Sequence, residues 1–163
     1  MKRVRFGRIV KSYQHSIYGY SFYMLGNRED AEDITQEVLI KAWQNIDSIG
    51  KGSIKNWIIR VTKNLCIDRI RHWRLNQTIK PDPPPPRDPE AVIEGREIQE
   101  RVREAIGNLP LTLRSTVVLR EIQGLKYREI SKILEIPLSS VKVQLWRGRA
   151  LLRQALSPMQ NEL

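Results

Sequence analysis

Apolar residues in the N-terminal half recur every three or four positions, the spacing that places them on one face of an α-helix. The pattern is clearest over residues 28–46, where Leu39 and Trp43 widen an apolar stripe made of Ala31, Ile34, Val38, Ala42 and Ile46. Similar spacing predicts a first helix over residues 6–25, ended by Gly26, and a long third helix over residues 54–74. Because no strand-like alternation is present, this half is predicted to be all-α.

Two polar residues are predicted to cap these helices. Asn27 stands before the second helix with Asp30 three residues later, an arrangement similar to a capping box. Ser53 follows the glycine-containing loop 47–52 and is predicted to cap the third helix. The apolar face of that third helix is predicted to consist of Ile54, Trp57, Ile58, Val61 and Leu65.

The C-terminal half reads as four further helical segments. One is predicted over residues 91–106 and another over 111–121, with "GNLP" between them and "QG" at the end. Residues 125–156 then predict a short helix, a break at 135–137 and a second helix. This spacing is typical of a helix-turn-helix, whose second helix lies in the DNA major groove. An αα-hairpin with a basic solvated face is the alternative interpretation.

A proline-rich segment, residues 79–90, separates the two halves and contains four consecutive prolines. Such a run cannot continue a helix and favours extended polyproline II. Because helical patterns lie on both sides, a spacer is favoured over a ligand for a proline-binding domain. The fold class is therefore predicted to be all-α, with two small helical domains at 1–75 and 93–163 and a flexible linker at 76–92.

The formal net charge of +10 changes the picture, because it favours an anionic partner. Nucleic acid comes first and an acidic membrane surface second, while a basic protein with no polyanionic partner remains the alternative. Cys66 is the only cysteine and lies in an apolar helical stretch, which favours a core position over a reactive thiol. His15 and His72 lack ligand-like spacing, so neither a metal site nor a cofactor is predicted.

No apolar run approaches the roughly 18 residues of a membrane span. The basic start "MKRVRFGR" lacks the apolar core of a signal peptide, so a cytosolic location is expected.

Acidic residues are concentrated in one short segment of this basic chain, at Glu29, Asp30, Glu32, Asp33 and Glu37. Carboxylates in the first turn of a helix favour its macrodipole, but this does not explain the outward stripe that continues to Gln44. That stripe consists of Asp33, Gln36, Glu37, Ile40 and Gln44. A mostly acidic stripe holding one isoleucine is consistent with a docking surface for a basic protein helix.

Basic residues gather on the third helix and on the second helix of the helix-turn-helix. The third helix carries charge, two tryptophans and two amides, at Lys55, Asn56, Trp57, Arg60, Lys63, Asn64, Arg69, Arg71, Trp73 and Arg74. Such a mixture suits single-stranded nucleic acid, although Trp57 also falls on the apolar stripe and fits the core. In the helix-turn-helix, Val141, Leu145, Gly148 and Leu152 are predicted to face the core. The outward positions, which suit base edges and phosphates, are Ser139, Ser140, Lys142, Val143, Gln144, Arg147 and Arg153.

Four motifs occur in order: "GNREDAEDITQEVLIKAW", "IKNWIIRVTKNLCIDRIR", "LPLTLRSTVVLREIQGLKYREISKIL" and "IPLSSVKVQLWRGRALLR". Together they resemble bacterial RNA polymerase sigma factors of the sigma-70 family, in the extracytoplasmic-function (ECF) group. The resemblance covers about residues 12–156. It implies a sigma-2-like helical bundle, a sigma-4-like helix-turn-helix domain and promoter-specific initiation of transcription with core RNA polymerase.

The resemblance also implies roles for individual residues. Docking on the β′ coiled coil, with the β subunit as a further contact, is expected of Asp33, Gln36, Glu37, Ile40, Lys41 and Gln44. Capture of the melted −10 element is expected of the loop 47–55 and the helix after it, through Lys55, Asn56, Trp57, Arg60, Lys63, Asn64 and Arg71. Duplex −35 DNA is expected to be read by the helix-turn-helix, about 127–147, through Arg128, Ser139, Ser140, Lys142, Val143, Gln144 and Arg147.

The resemblance further implies that the chain assists promoter melting and has no small-molecule substrate. Because the sequence lacks a phosphate-cradling Gly-rich loop, a metal-ligand cluster and a Ser/His/Asp set, the chain is predicted not to be an enzyme and to need no cofactor. An anti-sigma factor is expected to control it and to hold it at the inner membrane surface. Two rival classes remain at this stage: a helix-turn-helix regulator that binds duplex DNA alone, and a basic RNA-binding adaptor. An enzyme is a further class, for which no catalytic constellation is found.

Several positions depart from the family pattern within the helix-turn-helix. Ser139 and Ser140 replace a frequent Gly-Thr pair, and Trp146 replaces a frequent His or Tyr. Lys126 stands where a capping Ser or Thr is usual, so Glu129 lacks its partner for a capping box. Glu135 occupies a turn position where Gly is common, which implies either a left-handed residue or an altered turn. Gly148 lies within the second helix, at some cost in helix propensity.

Overall fold

The computed structural model describes residues 1–76 and 94–160, and no strand occurs among them. The all-α prediction is confirmed. Contacts divide the chain into two compact units, Met1–Lys80 and Pro81–Leu163. The predicted linker, 76–92, lies outside the described residues except for Asn76, as does the predicted start of a helix at 91–93.

The first unit holds three helices: α1 (Lys2–Leu25), α2 (Arg28–Asn45) and α3 (Ile54–Leu75). The predicted stripe of α2 is buried at every position, from Ala31 to Ile46. On α3 the buried residues are Ile58, Thr62, Cys66 and Ile70. The face predicted for α3 is therefore only partly right, because Ile58 is its one buried member and Ile54, Trp57, Val61 and Leu65 are half-buried.

Helix α1 begins at Lys2, four residues earlier than the predicted start, and ends at Leu25 as predicted. Gly26 adopts the left-handed conformation (φ 77°), and its N–H donates to the carbonyl of Phe22 at 2.8 Å. This geometry satisfies an otherwise unpaired carbonyl at the end of the helix, and glycine adopts it without strain.

The two predicted caps differ in outcome. Asn27 caps α2 as predicted, because its Oδ1 accepts from the backbone N–H of Asp30 at 2.9 Å. Ser53 lies at the N-cap position of α3, but its side chain makes no capping hydrogen bond, so that prediction is wrong. The reason is its helical backbone (φ −105°, ψ −2°), because a capping side chain reaches the N–H groups from the extended region.

The second unit holds α4 (Glu94–Gly107), α5 (Leu111–Val117), α6 (Tyr127–Leu134) and α7 (Leu138–Gln160). A single π-helical turn, Val118–Ile122, extends α5 to the end of the segment predicted as one helix. The core lies against the N-terminal half of α7, with these apolar residues fully buried: Ile106, Val117, Leu119, Ile130, Ile133, Val141 and Leu145. Arg114, Ser115 and Thr116 of α5 are buried as well.

The helix-turn-helix has the predicted break between α6 and α7. Glu135 is left-handed (φ 56°, ψ 45°), which is unusual for a residue with a side chain. The turn is bridged at Ser131, whose hydroxyl donates to the carbonyl of Ile136 at 2.6 Å and whose carbonyl accepts from the Ile136 N–H at 3.2 Å. Before α6, the Glu129 carboxylate accepts from the Lys126 N–H at 3.2 Å, so half of a capping box forms without Ser or Thr.

Gly148 faces the core as predicted, and the structure shows in addition which side chain it packs against. It is buried where α7 packs on α5, and a Cβ added there would lie 2.5 Å from Cγ2 of Val117. A separation this short cannot be accommodated without moving a helix or a stiff β-branched side chain. The glycine therefore permits the close approach of the two helices.

Candidate docking and nucleic-acid interfaces

The acidic stripe lies on the outward face of α2, opposite the buried stripe. Asp33, Gln36, Ile40 and Gln44 are exposed, whereas Glu37 and Lys41 are half-buried. Ile40 is 57% exposed, although it is a large apolar residue. An exposed isoleucine flanked by carboxylates combines an apolar contact with negative charge, which suits a protein partner of positive charge.

Arg69 of α3 reaches this acidic face. Its guanidinium lies 3.1 Å from Asp30, 3.9 Å from Asp33 and 3.9 Å from Glu37. The Asp30 side chain is 19% exposed and is largely used within the unit, whereas that of Asp33 is 66% exposed. Part of the acid thus has a structural role, while Asp33 and Glu37 still face solvent.

The prediction that Arg69 is one of the cations for nucleic acid is wrong, because its guanidinium lies among the carboxylates of α2. The helical spacing in the sequence already indicated that Arg69 lies near α2. Arg69 borders the buried stripe of Cys66 and Ile70, so a helix packing on that stripe comes within reach of its guanidinium.

The remaining polar residues of α3 form a second surface. At 100° per residue, one side of the helix carries Asn56, Arg60, Lys63, Asn64 and Arg71. On this side Arg60, Asn64 and Arg71 are exposed, whereas Asn56 and Lys63 are half-buried. Lys55 is exposed in the first turn but does not lie on this side of the helix. Trp57 is half-buried at the edge of this side. The surface offers positive charge, two amides and part of an aromatic ring, a set that single-stranded nucleic acid can use.

The helix-turn-helix presents most of its predicted contacts outward. Arg128, Ser139, Lys142, Val143 and Arg147 are exposed, and Ser140 is half-buried. These side chains supply hydroxyl and cationic donors together with an apolar group, the chemistry that base edges and phosphates require.

Gln144 is held differently from its neighbours. It is half-buried, and its Oε1 accepts a 2.6 Å hydrogen bond from the Thr116 hydroxyl. A bidentate contact with adenine uses both the oxygen and the nitrogen of the amide, so the bond to Thr116 restricts the orientations in which Gln144 could make it. In this conformation Gln144 ties α7 to α5.

Trp146 was not among the predicted site residues, yet it is 69% exposed on α7. It lines a shallow groove of about 330 Å³ with Tyr127 and the cations Lys142, Arg149 and Arg153. Arg149 also pairs with Glu121 at 2.6 Å. A large apolar ring facing solvent was the available signal, because α-helical spacing already placed position 146 away from the core.

Cys66 is buried, and this burial raises the pKa of its thiol to about 12. A hydrogen bond from its Sγ to the Ser21 hydroxyl, at 3.6 Å, and the charge of Arg69 oppose that shift only in part. Its burial confirms the predicted core position, and the thiol is protonated at neutral pH.

Within residues 1–76 and 94–160, no cluster of His, Cys, Asp and Glu side chains is arranged to hold a metal ion. None of the helices described there is long and apolar enough to cross a membrane.

The described residues form an all-α protein with a helix-turn-helix unit and an acidic face on α2. Comparison with known proteins shows its family. Residues 9–75 match the family model of Sigma-70 region 2, and residues 99–152 match that of Sigma-70, region 4. The ECF RNA polymerase sigma factor SigW of Bacillus subtilis is 34% identical over 165 residues, which cover 93% of this chain and 88% of SigW. The corresponding sigma factor SigE of Mycolicibacterium smegmatis is 30% identical over 94% of this chain, which spans 62% of that relative.

Two solved structures share the fold. One is the sigma factor RpoE in complex with the anti-sigma factor NepR from Bartonella quintana, with a TM-score of 0.78 and 21% identity over 94% of this chain and 97% of RpoE. The other is CnrH in complex with the cytosolic domain of CnrY, with a TM-score of 0.74 and 20% identity over 96% of this chain and 90% of CnrH.

The chain belongs to the sigma-70 family of RNA polymerase sigma factors, in its ECF group. The resemblance drawn from the four motifs is confirmed. Sigma factors are transcription initiation factors, and their regions 2 and 4 bind core RNA polymerase and promoter DNA.

Proposed function

We propose that this chain recruits core RNA polymerase to promoters through three separate surfaces, one on each of α2, α3 and the α6–α7 pair. The observation that carries the proposal is the sign of the outward charge. The face of α2 is acidic with an exposed isoleucine, whereas the faces of α3 and α7 are basic. An acidic face is repelled by DNA and suits a basic protein, while a basic face suits a polyanion.

The face of α2 docks on the β′ coiled coil of core polymerase. Asp33 and Glu37 supply charge, Ile40 enters an apolar contact, and Gln36, Lys41 and Gln44 form the rim. Charge of this kind steers association and fixes orientation, while the exposed isoleucine loses its hydration on docking. The β subunit is proposed as a further contact.

The face of α3 captures the melted −10 element, together with the loop that precedes it. Arg60, Lys63 and Arg71 follow the backbone phosphates, and Asn56 and Asn64 bond to the edges of unstacked bases. Lys55 adds charge at the loop, and the partly exposed ring of Trp57 gives a base a surface on which to stack. Trapping bases outside the stack offsets a cost of a few kcal/mol per base, which is how the chain assists melting without being an enzyme.

The helix-turn-helix reads the duplex −35 element. Ser139, Lys142 and Arg147 face the groove or its phosphates, Val143 offers an apolar contact, and Arg128 approaches the backbone from α6. Ser140 is placed at the edge of this surface. Gln144 acts chiefly by holding α7 against Thr116.

Polymerase fixes the distance between the two DNA-binding units and so raises their effective concentration at a promoter. The proposed division is a region 2 domain at 1–75, a linker at 76–92 and a region 4 domain at 93–163.

An anti-sigma factor controls the chain in this proposal, and the cytoplasm is its location. The support is that the first of the solved structures similar in fold contains an anti-sigma factor. A membrane-linked anti-sigma factor would hold the chain at the inner membrane surface until a signal arrives.

Transcription from fragmented genomic DNA tests the proposal against its rivals. We expect new start sites when the full chain is mixed with core polymerase, and none with core polymerase alone. Tight binding of the free chain to a duplex operator, without new start sites, would instead identify an ordinary helix-turn-helix regulator. Binding to RNA without promoter preference would identify an RNA adaptor.

A further inference from the structure

The loop between α2 and α3, residues 46–53, is held by an arginine from α1. Arg5 of α1 donates from Nη1 to the carbonyl of Ile46 at 2.6 Å and from Nη2 to the carbonyl of Ile49 at 2.7 Å. Both acceptors are backbone groups of buried residues, so the bonds fix the path of the chain rather than the position of a side chain. The fork of the guanidinium thus joins the end of α2 to the middle of the loop.

The end of α2 needs such a partner. The last carbonyls of a helix accept no hydrogen bond from within the helix, and they form the negative end of its macrodipole. Helix α2 has no basic residue in its last turn, and its C-cap residue, Ile46, is right-handed rather than in the glycine-type conformation. Arg5 supplies the missing cation from outside, with two charge-assisted hydrogen bonds in a planar fork.

Neighbouring contacts hold Arg5 in place. The ring of Phe6 packs edge-on against that of Trp43 with centroids 5.2 Å apart, and Lys2 Nζ lies 4.5 Å from the centroid of the same tryptophan. These contacts join the first turn of α1 to the last turns of α2. The loop itself is ordered by bonds from the N–H groups of Ser48 and Ile49 to the carbonyl of Asn45.

We propose that Arg5 is a positioning residue for −10 recognition. By fixing the carbonyls of Ile46 and Ile49, it sets the path by which the loop enters α3 and so the placement of the first turn that carries Lys55 and Asn56. Arg5 acts through the loop and does not touch the bases. The inference rests on the proposed function, because it assigns Arg5 to the surface that captures the melted strand.

Single-strand binding by the reconstituted holoenzyme tests the inference. The full chain is combined with core polymerase, and the probe is a fluorescein-labelled oligonucleotide that the wild-type holoenzyme selects from a random single-stranded pool. We expect Arg5→Ala to weaken probe binding by about tenfold, because the freed loop must then be ordered when the probe binds. Arg5→Lys should restore part of the affinity, because it keeps the charge but not the fork.

The matched control is Arg8→Ala, which removes an exposed arginine from the same helix and should leave probe binding unchanged. Hydrogen exchange gives an independent readout: the amides of Ser48, Ile49 and Ser53 should exchange faster in Arg5→Ala, while those in the middle of α2 should not. Affinity for core polymerase should stay at the wild-type value.

Two results would overturn the inference. In the first, Arg5→Ala binds the probe as tightly as Arg8→Ala does, with the loop equally protected. In the second, probe binding, core affinity and thermal stability all fall together and Arg5→Lys restores none of them, which indicates a general structural role. A surface variant separates this inference from the proposed function. If Arg60→Glu also leaves probe binding intact, the proposed role of α3 fails; if it abolishes binding while Arg5→Ala has no effect, only the inference about Arg5 fails.

Discussion

The outward faces of α2 and α3 belong to the same three-helix unit and carry opposite charge. On α2 the exposed side chains include Asp33 and Ile40, whereas on α3 they include Arg60 and Arg71. The formal net charge of +10 is a sum over the whole chain, so it indicates the basic surface of α3 and conceals the acidic surface of α2. The net charge correctly indicated an anionic partner. The separation of acidic and basic residues onto different helix faces indicates a second partner, which is a protein.

Arg69 marks the boundary between the two faces. It belongs to the basic helix by sequence, yet its guanidinium lies among Asp30, Asp33 and Glu37. Its pairs with the more exposed Asp33 and Glu37, at 3.9 Å, each contribute about 0–1 kcal/mol and so add little to the part-buried pair with Asp30. Arg69 also reduces the negative charge that α2 presents.

Reversing the charge on α3 should have the largest effect on nucleic-acid binding. For Arg60→Glu with Arg71→Glu, we expect single-strand binding by the holoenzyme to fall by at least about tenfold, with a salt dependence about 1.4 units shallower if both residues contact phosphates. Titration of a labelled oligonucleotide at several salt concentrations measures both quantities.

The control for that experiment is Arg8→Glu with Lys11→Glu, which makes the same change in net charge on exposed positions of α1. If the control loses as much affinity as the α3 variant, total charge rather than the α3 face governs binding, and the comparison between the two helices fails.

An alanine at position 148 should affect the C-terminal unit alone. Gly148→Ala places a methyl group against Val117, and overpacking of this kind costs about 1–3 kcal/mol. We expect a lower Tm for this unit and weaker duplex binding, with core docking by α2 unchanged. Gly107→Ala is the matched control, because a Cβ there meets nothing within 4 Å. Equal stability of both variants would show that α5 and α7 do not need the glycine.

Removal of Arg69 should have the smallest effect. Arg69→Ala leaves the carboxylates of α2 uncompensated, so we expect faster association with core polymerase, by less than about tenfold, since exposed interface charges act mainly on the association rate. Stopped-flow mixing measures this rate. Slower association would mean that Arg69 itself contacts polymerase or orders the acidic face for docking.

Helix α2 shows what the sequence predicts well. Its cap and its buried stripe depend on neighbours three or four residues apart, and such local spacing is visible in the chain. The break of the helix-turn-helix was found for the same reason. The family motifs then assigned roles to surfaces that periodicity alone left open.

Long-range contacts explain what was missed. The bonds of Arg5 to Ile46 and Ile49 cross 41 and 44 residues, and the pair of Arg69 with Asp30 crosses 39, so no local pattern contains them. The early start of α1 was missed for the same reason, because Lys2 and Phe6 pack on Trp43 of α2, far away in the sequence. The packing role of Gly148 likewise depends on Val117, which belongs to another helix.

Binding of the labelled full chain to purified core RNA polymerase tests the central claim most directly. We predict that Asp33→Arg with Glu37→Arg weakens binding by at least about a hundredfold, because like charges at such an interface cost several kcal/mol. Glu100→Arg with Glu104→Arg makes the same charge change at exposed positions of α4 and should bind as wild type does. If the α2 variant bound as tightly as this control, the acidic face would not be the docking surface.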